Sequence, residues 1–153
     1  MRDTGYYPDD RHLEGKATGY VRAHIDADYI HMSVAYSAGG LYSTIEDLYR
    51  WDQALYKGEL ISPRLLRRMV TIQARPRGVP KGLGYGYGWA IDEQGREHCG
   101  HRFVGHGGAI EGFRSFFGRY PDDKVTIIVL SNWESWPMEE VYRRLEQLVF
   151  LGH

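Results

Sequence analysis

The chain has 153 residues, enough for one domain built around a single hydrophobic core. Nineteen Lys and Arg residues nearly balance twenty Asp and Glu residues, so no basic field is present that would hold a nucleic acid. The single cysteine, Cys99, excludes an internal disulfide bond. The most apolar stretch, 125–130, is far too short to span a bilayer, and the first residues lack the apolar run of a signal peptide.

The first 35 residues are rich in Tyr, Asp, His and Gly and show no sustained hydrophobic period, which predicts loop with one short strand at 17–22. A glycine turn at 38–41 follows. Ser43 and Glu46 then have the spacing of a capping box, in which the Ser43 hydroxyl accepts from the Glu46 N–H. Apolar residues recur at helical spacing from there until Gly58, which predicts one helix.

A second, shorter helix is predicted from Ser62-Pro63, because serine is a good N-cap and proline fits the first helical position. Residues 73–82 indicate a surface loop, and from Leu83 to Ile91 glycines alternate with aromatic residues as in a strand. Further segments are a turn at 92–95, strands at 101–105, 113–120 and 125–130, a turn at 121–123 and a helix opened by Pro137. The strand at 125–130 is predicted to be buried on both faces. This order predicts an α+β fold with an antiparallel sheet and a C-terminal helix.

Five motifs follow one another in a recognisable order and spacing. They are Ala38-Gly39-Gly40-Leu41-x-Ser43-Thr44, Tyr85-Gly86-Tyr87-Gly88-Trp89, Gly105-His106-Gly107-Gly108, Tyr120-Pro121-Asp122-Asp123 and Leu130-Ser131-Asn132. Together they resemble the serine β-lactamase-related hydrolases, which include penicillin-binding-protein-like enzymes, class C β-lactamases, esterases and D-amino-acid peptidases. The resemblance covers nearly the whole chain, 1–153, but only about the second half of a typical family member. It implies the C-terminal part of a β-lactamase/transpeptidase-like fold, as one segment.

The resemblance also implies roles for particular residues. His106-Gly107-Gly108 is similar to the family's third motif, His-x-Gly, so His106 is expected to be a polar wall of the active site. Gly107 and Gly108 would keep the strand clear for substrate, and the N–H of Ala109 would be one oxyanion donor. The loop with Tyr36 and Ser37 would line the groove, although a plain loop role is an equal alternative. No cofactor and no metal are expected.

The family's nucleophile motif has no match in this sequence. In the family a Ser-x-x-Lys motif supplies the attacking serine and its proton acceptor, and a Tyr-x-Asn or Ser-x-Asn motif supplies a second base. None of the seven serines has a lysine three residues later. The only asparagine, Asn132, follows Leu130 at the position where the motif needs Tyr or Ser. The chain is therefore expected to be inactive alone, and a non-catalytic interaction module is the alternative.

A less favoured hypothesis is a small metal-binding protein, because His98, Cys99, His101 and His106 are all zinc-ligand residue types. Strand alternation would scatter these side chains over both faces of a sheet. Three aromatic residues, Tyr85, Tyr87 and Trp89, are assigned mainly to sheet packing, and Asp47 to favourable contact with a helix dipole.

By resemblance, the family's first strands pair beside the last one, 125–130. That strand is therefore expected to have an open edge here. We expect a second polypeptide, either an N-terminal half or another copy of this chain, to complete the sheet.

Overall fold

A computed structural model of the chain describes residues 1–9, 11, 13–22 and 24–152. Its elements in chain order are β1 Gly5–Tyr6, β2 Tyr20–Arg22, β3 Ile25–Asp26, α1 Tyr36–Gly39, β4 Leu41–Tyr42, α2 Ile45–Lys57, α3 Pro63–Met69, β5 Leu83–Tyr85, β6 Ala90–Asp92, β7 Phe103–Ile110, β8 Phe113–Tyr120, β9 Val125–Ser131 and α4 Met138–Phe150. None of these helices is both long enough and apolar enough to cross a membrane.

Five strands form one antiparallel sheet in the order β5-β6-β7-β8-β9. Successive side chains of a strand point to opposite faces of the sheet. In β7, Phe103 and Val104 are both buried, but they pack in two different hydrophobic clusters. Val104 packs in a cluster with Leu55 of α2, whereas Phe103 packs in a cluster that includes residues of α4. The sheet therefore lies between helices, and the predicted α+β fold is confirmed.

The first long helix begins one residue later than the capping-box prediction. Thr44 is the N-cap, with an extended backbone and a hydroxyl that accepts from the Asp47 N–H at 3.2 Å. Ser43 is instead engaged by Thr4, with 2.7 Å between the two hydroxyl oxygens. The predicted bond from the Glu46 N–H to Ser43 is wrong, because the hydroxyl of Thr44 makes the cap. Thr4 donates its hydroxyl proton to Asp47, so Ser43 is the donor in its contact with Thr4. The predicted cap of α3 is confirmed, since Ser62 accepts from the Leu65 N–H at 3.3 Å.

The predicted strand over 83–91 is wrong, because the chain reverses inside it. β5 and β6 pair with each other as a hairpin, with Leu83 opposite Asp92 and Tyr85 opposite Ala90. The turn between them is closed by the Gly86 N–H, which donates to the Trp89 carbonyl at 2.8 Å, and Gly88 has φ +79°. Gly88 thus serves the turn, for which a positive φ is needed. Gly84 and Gly86 have another reason, since a Cβ there would approach the backbone carbonyls of Ala74 and Met69 too closely.

The N-terminal third contains more structure than the predicted loop and single strand. β1 pairs with β4, and β2 pairs with β3, while α1 begins within the segment before the predicted glycine turn. Residues 10, 12 and 23, which the loop prediction included, lie outside the described residues. The β1–β4 pairing joins positions far apart in sequence, and the β2–β3 hairpin has strands of only 3 and 2 residues, so hydrophobic periodicity carries no signal for either.

Helix α4 is held to the sheet by a buried polar cluster as well as by apolar contacts. Glu146, which is 1% exposed, accepts a hydrogen bond from the Tyr120 hydroxyl, and its carboxylate lies 2.6 Å from Nδ1 of His98. Burial, together with the bond to Glu146, raises the pKa of Tyr120 above its usual range. The neutral phenol therefore remains a hydrogen-bond donor to α4 at any ordinary pH.

Strand β9 is less buried than the sequence indicates. Only Ile127 is fully buried, and Leu130 is 39% exposed, so the prediction of burial on both faces is wrong. Within the described residues β9 pairs with β8 alone and ends the sheet. The expected open edge is therefore present in the chain.

Candidate active site

Strand β7 has two halves with different surroundings. Its first half, Phe103–Gly105, pairs with β6 on one edge and with β8 on the other from Val104 onwards. Its second half, His106–Ile110, pairs with β8 but has no strand on the other edge among the described residues. Residues 106–109 are exposed. Backbone groups that face such an edge are available to an extended ligand.

The pairing of β8 holds this exposed half in place. His106 lies opposite Phe117, whose ring packs 5.6 Å from the ring of Trp51 and 5.8 Å from that of Trp89. Trp51 belongs to α2, and Trp89 is 4% exposed. An aromatic layer therefore supports the strand next to His106, which limits the freedom of the backbone there.

The imidazole of His106 has two hydrogen-bond partners. Its Nδ1 lies 2.5 Å from the carbonyl oxygen of Gly107, and its Nε2 lies 2.8 Å from the hydroxyl oxygen of Tyr85. A carbonyl can only accept, so Nδ1 carries a proton. In the neutral imidazole, Nε2 is then the acceptor and the Tyr85 hydroxyl is the donor.

The sequence pattern assigns Tyr85 to sheet packing and gives no sign of its hydrogen bond to His106. The two rings meet edge to face, with centroids 5.7 Å apart and an interplanar angle of 81°. The residues are 21 positions apart and are brought together because β5 folds back beside β6. A hairpin predicted for 83–92 would have placed Tyr85 opposite Ala90, which pairs with Gly105 beside His106.

The two predicted groove glycines differ in what packs against them. A Cβ on Gly107 would meet only the Ser115 carbonyl oxygen, at an ordinary 3.7 Å. A Cβ on Gly108 would approach the Ser115 hydroxyl closely. The chain's own packing therefore does not require glycine at Gly107, and its missing side chain leaves open space above β7.

The other predicted groove residues, Tyr36 and Ser37, lie on the short helix α1. Tyr36 is 63% exposed, has φ +41°, and meets the ring of Tyr6 edge to face at 5.6 Å. A positive φ is unfavourable for a bulky residue. Among the described residues, no hydrogen bond or ring contact joins Tyr36 or Ser37 to β7.

The metal-binding hypothesis does not agree with the geometry. His98 is buried against Glu146, His101 lies 3.0 Å from Asp123, and His106 contacts Tyr85. The described residues contain no group of three His, Cys, Asp or Glu side chains that could hold a metal ion. The histidines and Cys99 therefore do not form the proposed cluster.

Comparison with known proteins gives a consistent result. The family model described as Beta-lactamase matches residues 1–151. The D-aminopeptidase of Brucella ovis is 30% identical over 95 residues, which cover 62% of this chain and 17% of that protein. Penicillin-binding protein 4* of Bacillus subtilis is 32% identical over 96 residues, or 63% of this chain and 20% of that protein.

Solved structures show the same fold. The octameric penicillin-binding protein homologue from Pyrococcus abyssi superposes with a TM-score of 0.75 at 23% identity, over 99% of this chain and 34% of that chain. A D-stereospecific amidohydrolase from Streptomyces gives a TM-score of 0.72 at 26% identity, over 100% of this chain and 45% of that chain. The chain thus spans less than half the length of these proteins.

Proposed function

This chain belongs to the Beta-lactamase family, and on that premise we propose that it forms the substrate-binding wall of a serine hydrolase that works through an acyl-serine. The substrate classes are β-lactams, esters and amides or peptides of D-amino acids. The names of the D-aminopeptidase and D-stereospecific amidohydrolase relatives favour the last class. Acyl transfer by serine needs no cofactor or metal.

The observation that carries this proposal is the unpaired edge of β7 beside His106. An extended peptide or amide can lie along that edge as an additional strand, with the backbone of β7 supplying hydrogen bonds. Gly107 leaves the space above the strand open. A Cβ at this position would meet only the Ser115 carbonyl oxygen, at 3.7 Å, so the chain's own packing does not fill that space. A substrate on this edge would therefore lie next to the imidazole–hydroxyl pair of His106 and Tyr85.

The backbone direction of Ala109 supports its proposed role as an oxyanion donor. Successive residues of a strand direct their backbone groups to alternate edges, so Ala109 points its N–H to the same side as Gly107. The Gly107 carbonyl meets the imidazole of His106. The proposed role of Ala109 is to donate this N–H to the oxygen that becomes negative in the acyl transition state.

His106 would orient a substrate carboxylate or assist proton transfer, since imidazole does either near neutral pH. Tyr36 and Ser37 would complete the groove from α1. The strained backbone of Tyr36 supports that role, because such strain concentrates at functional positions.

The attacking serine has to come from another polypeptide segment, because no Ser-x-x-Lys occurs in these 153 residues. A serine hydroxyl is a poor nucleophile without a positioned base. We infer that the chain has no acyl-transfer activity until a segment with Ser-x-x-Lys packs against it.

A covalent-labelling experiment tests this. The purified chain is incubated with a fluorescent penicillin and with a fluorophosphonate, alone and with a polypeptide that carries Ser-x-x-Lys. We expect label only on the added polypeptide and only when both are present, and Gly107→Val should reduce labelling at least tenfold by filling the groove. Label on one of the chain's own seven serines would overturn the proposal.

The partner would also complete the sheet. An edge strand with unpaired N–H and C=O groups invites another strand, and β9 presents such an edge within the described residues. The Pyrococcus abyssi homologue is octameric, which supports association in this fold. We propose that either an N-terminal half or a second copy of the chain pairs with β9.

A further inference from the structure

We propose that Tyr85 is a positioning residue for His106, and that its hydroxyl is the group of this pair that a bound substrate meets. This rests on the proposed function only for the identity of the ligand. The pairing itself is a property of the chain. It follows from three observations: the hydrogen bond, the fixed backbone of Tyr85 and the exposure of the pair.

The backbone of Tyr85 is held on both sides. Its N–H donates to the Ala74 carbonyl at 2.8 Å, and its carbonyl accepts from the N–H groups of Gln73 and Ala74 at 2.9 and 3.0 Å. On its other side Tyr85 pairs with Ala90 of β6. Because the backbone is fixed, the phenol has few conformations to lose when it meets His106.

The imidazole is in turn held at both nitrogens. Nδ1 donates to the Gly107 carbonyl, and Nε2 faces the Tyr85 hydroxyl at 2.8 Å. Each bond opposes rotation of the ring about the Cβ–Cγ axis, since both nitrogens lie off that axis. Two bonds at opposite sides of the ring fix its plane and select the tautomer with the proton on Nδ1.

Protonation of His106 changes what the pair offers to a ligand. In the neutral state the Tyr85 O–H donates to Nε2, so the hydroxyl oxygen can only accept from a ligand. In the charged state Nε2–H donates to the Tyr85 oxygen. The Tyr85 O–H then no longer donates to His106 and can turn towards another acceptor. Tyr85 is 38% exposed, so that proton can be donated to a substrate oxygen at the free edge of β7. The charged pair therefore fits a carboxylate or a polarised carbonyl.

The test uses the 153-residue chain and needs no catalytic activity. Diethyl pyrocarbonate acylates an imidazole nitrogen that has a free lone pair, and peptide mass mapping follows each histidine separately. Tyr85→Phe keeps the ring contact but frees Nε2, so His106 should react about 5-fold faster than in the wild type. The matched control is Tyr87→Phe in the same hairpin, where Tyr87 is exposed and, among the described residues, makes no hydrogen bond or ring contact with His106. It should leave the rate unchanged.

A second measurement is independent of any variant. Nitrogen-15 NMR of the wild-type imidazole in its neutral form should show a protonated Nδ1 and a hydrogen-bonded, unprotonated Nε2, and Tyr85→Phe should move the Nε2 resonance alone. An Nε2-protonated tautomer in the wild type, or equal His106 reactivity in both proteins, would overturn the inference. Failure of penicillin labelling in the complemented system would refute the proposed function and leave this pairing intact.

Discussion

The carboxylate of Asp47 is fully buried at the first turn of α2, where the sequence predicted only a favourable contact with the helix dipole. It accepts from the Asp3 N–H at 2.8 Å, the Thr4 hydroxyl at 2.9 Å and the Arg50 guanidinium at 2.7 Å. Desolvation opposes ionisation of Asp47, but these hydrogen bonds outweigh it and lower the pKa to about 2. A single side chain thus joins the N-terminal segment to α2.

The lowered pKa of Asp47 predicts an acid-sensitive contribution to stability. Because folding lowers this pKa, the stabilisation is complete above the ordinary value of 3.8 and is lost as the pH falls towards about 2. Urea unfolding across that interval should show a falling free energy of unfolding, and Asp47→Asn should flatten the dependence. The exposed neighbour Glu46 provides the control, since Glu46→Gln should retain the slope. A slope unchanged in Asp47→Asn would contradict the assignment.

A second buried carboxylate joins α2 to the sheet. Asp52 lies 2.5 Å from Nε of Arg119 on β8 and accepts from the Thr126 hydroxyl of β9 at 2.8 Å. Asp52 and Arg119 are 0% and 2% exposed. The Arg119 guanidinium also lies 4.4 Å over the ring of Tyr56. Removal of the Asp52 charge would leave a buried guanidinium without its counter-charge.

We expect Asp52→Asn to lower the free energy of unfolding by about 3–5 kcal/mol, as measured by urea denaturation. Glu139→Gln is the matched control, because it also neutralises one member of an ion pair, with Arg143 at 2.9 Å on the exposed face of α4. Its cost should stay below about 1 kcal/mol. Equal losses in the two variants would show that burial of the pair has no energetic consequence.

At the scale of elements, helices were predictable wherever their signals are local. Gly58 ends α2 with φ +71°, and its N–H donates to carbonyls of the last turn. The first turn also had a local signal, but two hydroxyls, Ser43 and Thr44, competed for the cap. Thr44 makes the cap, and Ser43 contacts Thr4 from the N-terminal segment instead, a tertiary contact that no local signal shows.

Gly58→Ala should lower the free energy of unfolding by about 1–2 kcal/mol, because only glycine adopts this backbone conformation freely. The added Cβ would lie 3.6 Å from Pro63, an ordinary contact, so the cost is conformational and not steric. Gly107→Ala, in an extended strand with room for a Cβ, should change stability by less than about 0.5 kcal/mol. Thermal or urea unfolding of the two variants side by side distinguishes the two positions.

At the scale of the whole molecule, the main feature is the unpaired strand at one end of the sheet. β9 has β8 on one edge and no strand on the other among the described residues. Leu130 adds exposed apolar surface to this strand. A chain with such an edge is expected to associate.

We therefore expect association at micromolar concentration in size-exclusion chromatography with light scattering. Leu130→Lys should shift the chain towards monomer, because a charge on an edge strand opposes strand addition. Leu148→Lys alters an exposed leucine of α4, 49% accessible, and should leave the association unchanged. A stable, folded wild-type monomer at these concentrations would contradict the proposed sheet completion.

The sequence by itself determined the family, the α+β class, strand β8 and the helix signals at Ser62 and Gly58, because these depend on motifs, alternation and neighbours within a few residues. It also placed His106, Gly107, Gly108 and Ala109 together, since they are consecutive. Only the tertiary structure decided that 83–92 folds into a hairpin, and that Tyr85 therefore reaches His106. The Asp47 and Asp52 contacts were decided in the same way. Apart from the i,i+3 pair of Asp47 with Arg50, these contacts join residues whose separation along the chain carries no periodic signal, and packing alone selects such partners.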